Sequence, residues 1–177
     1  AADDLYVVVG CQQDAVRAQV GNQCHYIVQA EPLGTGHAVQ QAVPELDDRA
    51  DTTLVLNGDV PLIRSATARA LADACAGRHL ALLTVTLADA TGYGRILRGV
   101  DGQVLGIVEQ KDASPAQREI REVYTGILAA PTTALKRWVA ALKNDNAQRE
   151  YYLTDIVAMA VADGVPVVAT QAASETE

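Results

Sequence analysis

Apolar positions recur along this chain with two periods that take turns. Leu5-Tyr6-Val7-Val8-Val9 is a near-continuous apolar run ended by Gly10, the pattern of a buried strand. Residues 12–20 carry Ala15, Val16 and Val20 at helical spacing. A short strand is expected at 25–29 and a helix at 36–45, with Ala38, Val39 and Ala42 on one face. Residues 52–56 form a further apolar run, cut off by Asn57-Gly58-Asp59-Val60-Pro61. That pattern predicts a buried parallel strand that delivers a carboxylate to the carboxyl edge of a sheet, where open α/β folds bind ligands. Ser65 reads as the cap of a helix over 67–76 that is closed by Gly77. A strand follows at 80–87, then a hairpin of 94–97 with 103–109 around Gly99, Asp101 and Gly102. Ser114-Pro115 opens a short helix, and 123–129 reads as a strand. Residues 132–143 form an amphipathic helix through Leu135, Trp138, Val139 and Leu142. A helix over 153–162 stops at Gly164, before a last strand at 165–169. Strands alternating with helices imply an α/β fold, a parallel sheet with helices on its faces.

With 177 residues, 49% of them hydrophobic, the chain can bury the core of one domain. It holds no Phe, one Trp and six Tyr, so the core is built from small aliphatics. The net charge of −8 argues against partners such as nucleic acid or a membrane surface. A phosphate ligand would then be held by backbone N–H groups, a metal and a few cations. Cys11, Cys24 and Cys75 lack metal-ligand spacing and read as reduced thiols of a cytoplasmic protein. No apolar run approaches the ~18 residues of a membrane span, and Ala1-Ala2-Asp3-Asp4 has no signal-peptide character. The chain starts almost directly in a strand and ends in a small polar tail over 172–177. It therefore reads as a single domain, residues 1–177, truncated at both ends.

Several segments carry candidate chemistry. Asp59, beside a flexible glycine, offers a hard oxygen suited to Mg²⁺. Leu33-Gly34-Thr35-Gly36-His37 sits between a strand and a helix, where two glycines allow close backbone approach and a helix N-terminus offers free N–H groups. It is neither a dinucleotide fingerprint nor a P-loop. Gln29, just before it, could read a base edge. Thr91-Gly92-Tyr93-Gly94-Arg95 opens the hairpin, Glu109 closes it and could accept from sugar hydroxyls, and Tyr124-Thr125-Gly126 could line the same cleft. His37 and His79 have no nucleophile partner, so a catalytic triad is unsupported.

These pieces occur together and in order. Gln29-Ala30-Glu31-Pro32-Leu33-Gly34-Thr35-Gly36-His37-Ala38 is followed by Asn57-Gly58-Asp59-Val60-Pro61-Leu62 and by Thr91-Gly92-Tyr93-Gly94-Arg95-Ile96. Then come Ile107-Val108-Glu109-Gln110-Lys111-Asp112-Ala113, Thr125-Gly126-Ile127 and Glu150-Tyr151-Tyr152-Leu153-Thr154-Asp155. Over essentially its whole length the chain resembles the N-terminal uridyltransferase domains of the bacterial bifunctional N-acetylglucosamine-1-phosphate uridyltransferase / glucosamine-1-phosphate acetyltransferase family. The resemblance implies a nucleotide-diphospho-sugar transferase (Rossmann-like) fold with a mixed, mostly parallel sheet and helices on both faces. It also implies transfer of UMP from UTP to N-acetylglucosamine 1-phosphate, giving UDP-N-acetylglucosamine and pyrophosphate for peptidoglycan and lipopolysaccharide synthesis, and so for cell shape. By the same resemblance, Gln29, Gly34 and Thr35 would contact uracil and Asn57, Gly58 and Asp59 the nucleotide. Asp59 would also ligate Mg²⁺, while Gly94, Glu109 and Tyr124 would contact the sugar.

The family's first strand and Gly-rich loop, a further Mg²⁺-ligating Asn and the acetyltransferase domain, which makes the family trimer, find no counterpart among these residues. Tyr124 stands where the family usually has Asn, and Arg149 where it usually has Gly. The isolated chain is therefore expected to be weakly active or inactive. The alternatives are a non-catalytic sugar-nucleotide-binding domain and a related transferase acting on another sugar 1-phosphate.

Overall fold

A computed structural model describes residues 4–11 and 13–176. Residues 1–3 and Gln12, on which the leader and helix-start expectations fall, and Glu177 lie outside the described residues. The elements follow the expected alternation: β1 Tyr6–Val9, α1 Gln13–Val20, β2 His25–Val28, α2 Thr35–Ala42 with a 3₁₀ turn Val43–Glu45, and β3 Thr52–Val55. Next come α3 Ser65–Cys75, β4 Leu80–Thr86, β5 Arg95–Arg98, β6 Val104–Val108 and α4 Pro115–Arg118. The chain closes with β7 Glu122–Pro131, α5 Thr132–Ala141, α6 Asp155–Ala162 and β8 Val167–Gln171.

β1 and β2 pair in parallel as a two-stranded sheet. The larger sheet has the order β6-β5-β7-β4-β8, with β3 also paired to β7. β3, β4, β5 and β8 run one way, and β6 and β7 run the other. The sheet is mixed as expected, with most strands sharing a direction, but the long strand β7 is inserted antiparallel between them. β7 places β4 along one edge and divides its other edge between two strands. β5 meets it at Arg95↔Val123, and β3 meets it at Val55↔Leu128 through Thr52↔Pro131. The end of β3 and the start of β5 therefore converge on residues 124–127 of β7.

Two apolar layers cover the sheet. One joins Leu82, Ile96, Tyr124 and Leu128 to α5 through Leu135, Trp138 and Val139, and to α6 through Ile156, Val157 and Ala160. The other joins Ala81, Leu83, Ile127 and Ala129 to Leu71 and Cys75 of α3. Helices thus lie on both faces. The Trp138 indole N–H, whose ring is buried in the first layer, donates to Asp163 Oδ2 at 2.8 Å, so its one polar atom is satisfied.

Three local expectations change. The 52–56 run is not a buried parallel strand: β3 is half-buried throughout and antiparallel to β7. Only one of its edges is paired among the described residues, and Leu56 beyond it is 46% exposed. Similarly, only Val9 of β1 is buried, because that strand belongs to the small sheet. Finally, Arg64 and not Ser65 occupies the cap of α3, since Arg64 already has extended backbone angles and Ser65 is helical. At the other end Ala76 and Gly77 both take positive φ, 46° and 66°, so the turn that closes α3 is one residue longer than a lone glycine stop. The Ser114-Pro115 start is as expected: Ser114 Oγ accepts from Gln117 N, and Gln117 Oε1 accepts from Ser114 N.

Arg149 sits at φ 57°, a left-handed conformation that favours glycine. The turn around it is held by Asn146, whose Oδ1 accepts from Gln148 N and Glu150 N, each at 3.2 Å. The strain comes from Cβ alone, so Arg149→Gly is expected to stabilise the chain by about 0.5–1 kcal/mol. A urea midpoint unchanged or lowered relative to the parent chain would contradict this.

Candidate functional site

The convergence of β3 and β5 on β7 gathers motifs that lie far apart in sequence. β7 carries a bulge here: Leu82↔Leu128 gives way to Thr84↔Tyr124, so β7 holds extra residues against β4. Gly126, at φ 87°, makes the bend. A Cβ at Gly126 would stand 2.9 Å from Asn57 Cγ, so the Asn57 side chain rests directly on this glycine. Thr125 Oγ1 donates to Leu83 O at 2.9 Å and fixes the bulge. The Asn57-Gly58-Asp59 turn is closed by Val60 N donating to Asn57 O at 3.3 Å. Gly58 has open space where a Cβ would go, and Asp59 is exposed beside it.

On the β5 side, Tyr124 N donates to Gly94 O at 3.0 Å. A Cβ at Gly94 would meet Ile107 Cγ2 at 2.8 Å and both Glu109 carboxylate oxygens at 3.5 Å. Gly94 and Glu109 are thus brought face to face. Thr154 Oγ1 donates to Glu109 Oε1 at 2.9 Å. Tyr124 is 8% exposed, and its hydroxyl is buried without a hydrogen-bond partner. Burial raises the Tyr124 phenol above its ordinary value, and the nearby Glu109 charge adds to this.

The Gly34-Thr35-Gly36 turn forms a third group. Gln29 Nε2 donates to Gly34 O at 3.2 Å and lies 3.0 Å from His37 Nδ1. His37 Nε2 in turn lies 3.1 Å from Gln41 Nε2, so the ring is held between two glutamine amides. The turn is bound to the segment before α6. Tyr151 N donates to Leu33 O at 2.8 Å, Gly36 N to Tyr151 O at 2.7 Å, and Leu153 N to Thr35 Oγ1 at 3.2 Å. A Cβ at Gly34 would fall 2.7 Å from Tyr151 O, and one at Gly36 would fall 2.8 Å from the same atom. The two glycines are therefore required first by another stretch of backbone, a partner that neither a ligand-binding loop nor a plain tight turn, the two readings of the sequence, supplies.

Segment 150–155 is the part that sequence reasoning under-used. Tyr151 and Leu153 hold the Gly34 turn, and Thr154 holds Glu109, so one short segment links the two groups. Its signal was available in Glu150-Tyr151-Tyr152-Leu153-Thr154-Asp155, but no residue there stood out by charge or spacing.

A cavity of about 470 Å³ opens at Glu109 and is also lined by Asp112, Lys143, Asn146, Tyr152 and Asp155. Gln29, Gly34, Asn57 and Asp59 do not line it. Burial holds the Glu109 carboxyl above the usual carboxylate range. The Thr154 hydrogen bond opposes this shift, and the charges of Asp112 and Asp155 add to it. Asp155 is raised as well, by burial and then by Asp112. A proton therefore binds Glu109 more tightly in the folded chain than in the unfolded one. Its contribution to stability is complete below the unfolded value of 4.5 and disappears as pH rises through the raised folded value. Relative to Glu109→Gln, the parent chain is expected to lose stability as pH rises across that window. Urea unfolding in a pH series checks this, and a pH-independent difference would refute it.

Among the described residues no group of three or more His, Cys, Asp or Glu side chains could hold a metal by itself. Asp59 nevertheless fits Mg²⁺ in another way. Mg²⁺ is commonly held by one or two carboxylates together with substrate phosphates and waters. An exposed, hard carboxylate on an open Gly58 turn is such a donor.

The profile of the nucleotidyl transferase family matches residues 10–175. The chain belongs to the nucleotidyl transferase family. Among curated proteins, the "Bifunctional protein GlmU" of Methylibium petroleiphilum is 72% identical over 155 residues, which cover 86% of this chain and 34% of that protein. The protein of the same name from Paraburkholderia phytofirmans is 56% identical and matches 98% of this chain and 38% of its own length. The chain thus spans about a third of the length of these relatives. A solved structure assigned as a glucose-1-phosphate thymidylyltransferase of Bacillus anthracis, in complex with sucrose, superposes with a TM-score of 0.72. At 18% identity, over 96% of this chain and 68% of the other, that likeness shows the nucleotidyltransferase fold. The expected fold class and enzyme class are thereby confirmed. Among the described residues no helix is long and apolar enough to cross a membrane.

Proposed function

We propose that this nucleotidyl transferase domain carries out uridyl transfer from UTP to N-acetylglucosamine 1-phosphate, in the cytoplasm and with Mg²⁺, yielding UDP-N-acetylglucosamine and pyrophosphate. The observation that carries the reading is the meeting of Gly94 and Thr154 on Glu109, which lines the acidic cavity, with the Asn57–Asp59 turn resting on the same stretch of β7. The cavity's acidic residues Glu109, Asp112, Asp145 and Asp155 outnumber its one cation, Lys143, so it disfavours phosphate and suits a neutral, hydroxyl-rich ring. The phosphates then belong on the other side, toward Asp59. Gln29, Gly34 and Thr35 take the uracil on the turn that Tyr151 braces, while Asn57 and Gly58 face the nucleotide. Tyr124 closes the base of the sugar side.

Asp59 is the residue that would hold Mg²⁺, which when bound supplies charge neutralisation on phosphate oxygens. The attacking group is a phosphate that is already anionic, so no protein nucleophile or strong base is needed. That agrees with a site that offers donors and one metal carboxylate. The product is a precursor for peptidoglycan and lipopolysaccharide, and thereby for cell shape. The full-length protein is a trimer in this reading.

The test is pyrophosphate release by a full-length protein carrying this domain. It should require both UTP and N-acetylglucosamine 1-phosphate and should cease with EDTA. Release with a different sugar 1-phosphate in preference, or no uridyl transfer at all, would overturn the proposal.

A further inference from the structure

Arg95 is 2% exposed, one of the largest fully buried side chains of the domain. Among the described residues it forms no ion pair. Its guanidinium donates instead to Tyr93 O and, at 2.6 Å, to Gln110 Oε1, while its Nε has no partner. Its hydrogen-bond acceptors are neutral, and the carboxylate that feels its charge, Asp89, makes no ion pair with it; a buried charge without a direct counter-ion is costly, so this is an expensive arrangement. Its place in the sheet shows what the arrangement does. Arg95 immediately follows Gly94, and Gln110 immediately follows Glu109. Side chains alternate across a sheet, and Ile96 points into the layer that holds Tyr124. Arg95 therefore points to the opposite face from Gly94. The Arg95–Gln110 bond ties together, from behind, the two backbone positions whose front faces form the Gly94–Glu109 recess.

We propose that Arg95 and Gln110 form a positioning clamp that sets the spacing of Gly94 and Glu109 and so tunes affinity for the sugar 1-phosphate without touching it. The link to the sugar rests on the uridyltransferase reading, but the clamp itself does not. Two hydrogen bonds report it directly: Tyr124 N to Gly94 O and Asp112 N to Glu109 O, both at 3.0 Å.

The first experiment is amide hydrogen exchange on the 177-residue chain. In Arg95→Met the amides of Tyr124 and Asp112 are expected to exchange about tenfold faster, with Leu82 and Leu128 in the middle of β4 and β7 unchanged. Gln110→Ala, which keeps the Tyr93 bond, should give a smaller change of the same pattern and serves if Arg95→Met does not fold. Gln110→Glu keeps an acceptor for Arg95 and should restore protection. Unchanged exchange, or acceleration spread evenly over the sheet, would overturn the clamp.

The second experiment is kinetic, in a full-length protein carrying the domain. Arg95→Met is expected to raise KM for N-acetylglucosamine 1-phosphate about tenfold while KM for UTP stays within about twofold. Equal rises in both would overturn the assignment to the sugar side. If the unmutated protein shows no uridyl transfer, the functional reading falls, and the exchange pattern still decides the clamp.

Discussion

Replacing Gly34 with alanine is expected to lower the stability of this domain by about 3 kcal/mol and its melting temperature by about 6–12 °C. Two independent costs add. The backbone at Gly34 has φ 111° and ψ 173°, a region open essentially to glycine alone, where another residue costs of order 1–3 kcal/mol. The new methyl would also stand 2.7 Å from Tyr151 O and 2.9 Å from Tyr151 N. These are backbone atoms, fixed by the Leu33 and Gly36 hydrogen bonds, and they cannot rotate aside as a side chain would. Relief requires the Gly34 turn to move away from segment 150–155, which breaks those bonds and releases Thr35 Oγ1 from Leu153 N. Gly58→Ala is the matched control. It has open space at Cβ and should change stability by no more than about 0.5 kcal/mol. Thermal melts of both variants decide the matter, and a Gly34→Ala variant that melts with the parent chain would show that the turn is not braced as described.

Gly34 also marks where the sequence was readable and where it was not. A glycine pair between a strand and a helix signals close approach, and close approach is what the structure shows. The partner could not be read, because Tyr151 is more than a hundred residues away and nothing local encodes the pairing. β3 teaches the same lesson. An apolar run ended by Asn57-Gly58-Asp59 is sufficient to predict a strand whose end presents a carboxylate. Its burial and its neighbour depend on β7, which lies antiparallel beside it, and long-range pairing of that kind leaves no local signature. The alternation in 104–108 and the turn residues around Gly102 were enough to place the hairpin, since its two strands are sequence neighbours. Arg95 was invisible as a buried cation because a strand of two arginines around Ile-Leu looks like an exposed edge. Only the structure shows that Arg95 is enclosed, while Arg98 at the other end reaches Glu122 at 2.7 Å on the surface.

The largest functional effect is expected from Asp59→Asn in a full-length protein carrying this domain. The side chains differ little in shape, so the substitution isolates the negative charge. Asp59 is exposed, on a turn closed by backbone atoms of Asn57 and Val60, so stability should change by no more than about 0.5 kcal/mol. Activity should respond very differently. A divalent cation held on substrate phosphates supplies several kcal/mol of stabilisation to developing charge. A neutral amide oxygen is a much weaker partner for Mg²⁺ than a carboxylate. A loss of about 3 kcal/mol in the transition state corresponds to a fall of roughly 10²-fold in kcat/KM. Because the described residues offer no cluster of acids to take over, the Mg²⁺ concentration for half-maximal rate should rise as well, and excess Mg²⁺ should restore only part of the activity. Glu109→Gln, on the sugar side, should leave that Mg²⁺ dependence where it was. Separation of the two behaviours would support phosphates toward Asp59 and the sugar toward Glu109. An Asp59→Asn protein with unaltered Mg²⁺ dependence would remove Asp59 from the metal site and leave the Asn57–Asp59 turn with a structural role only.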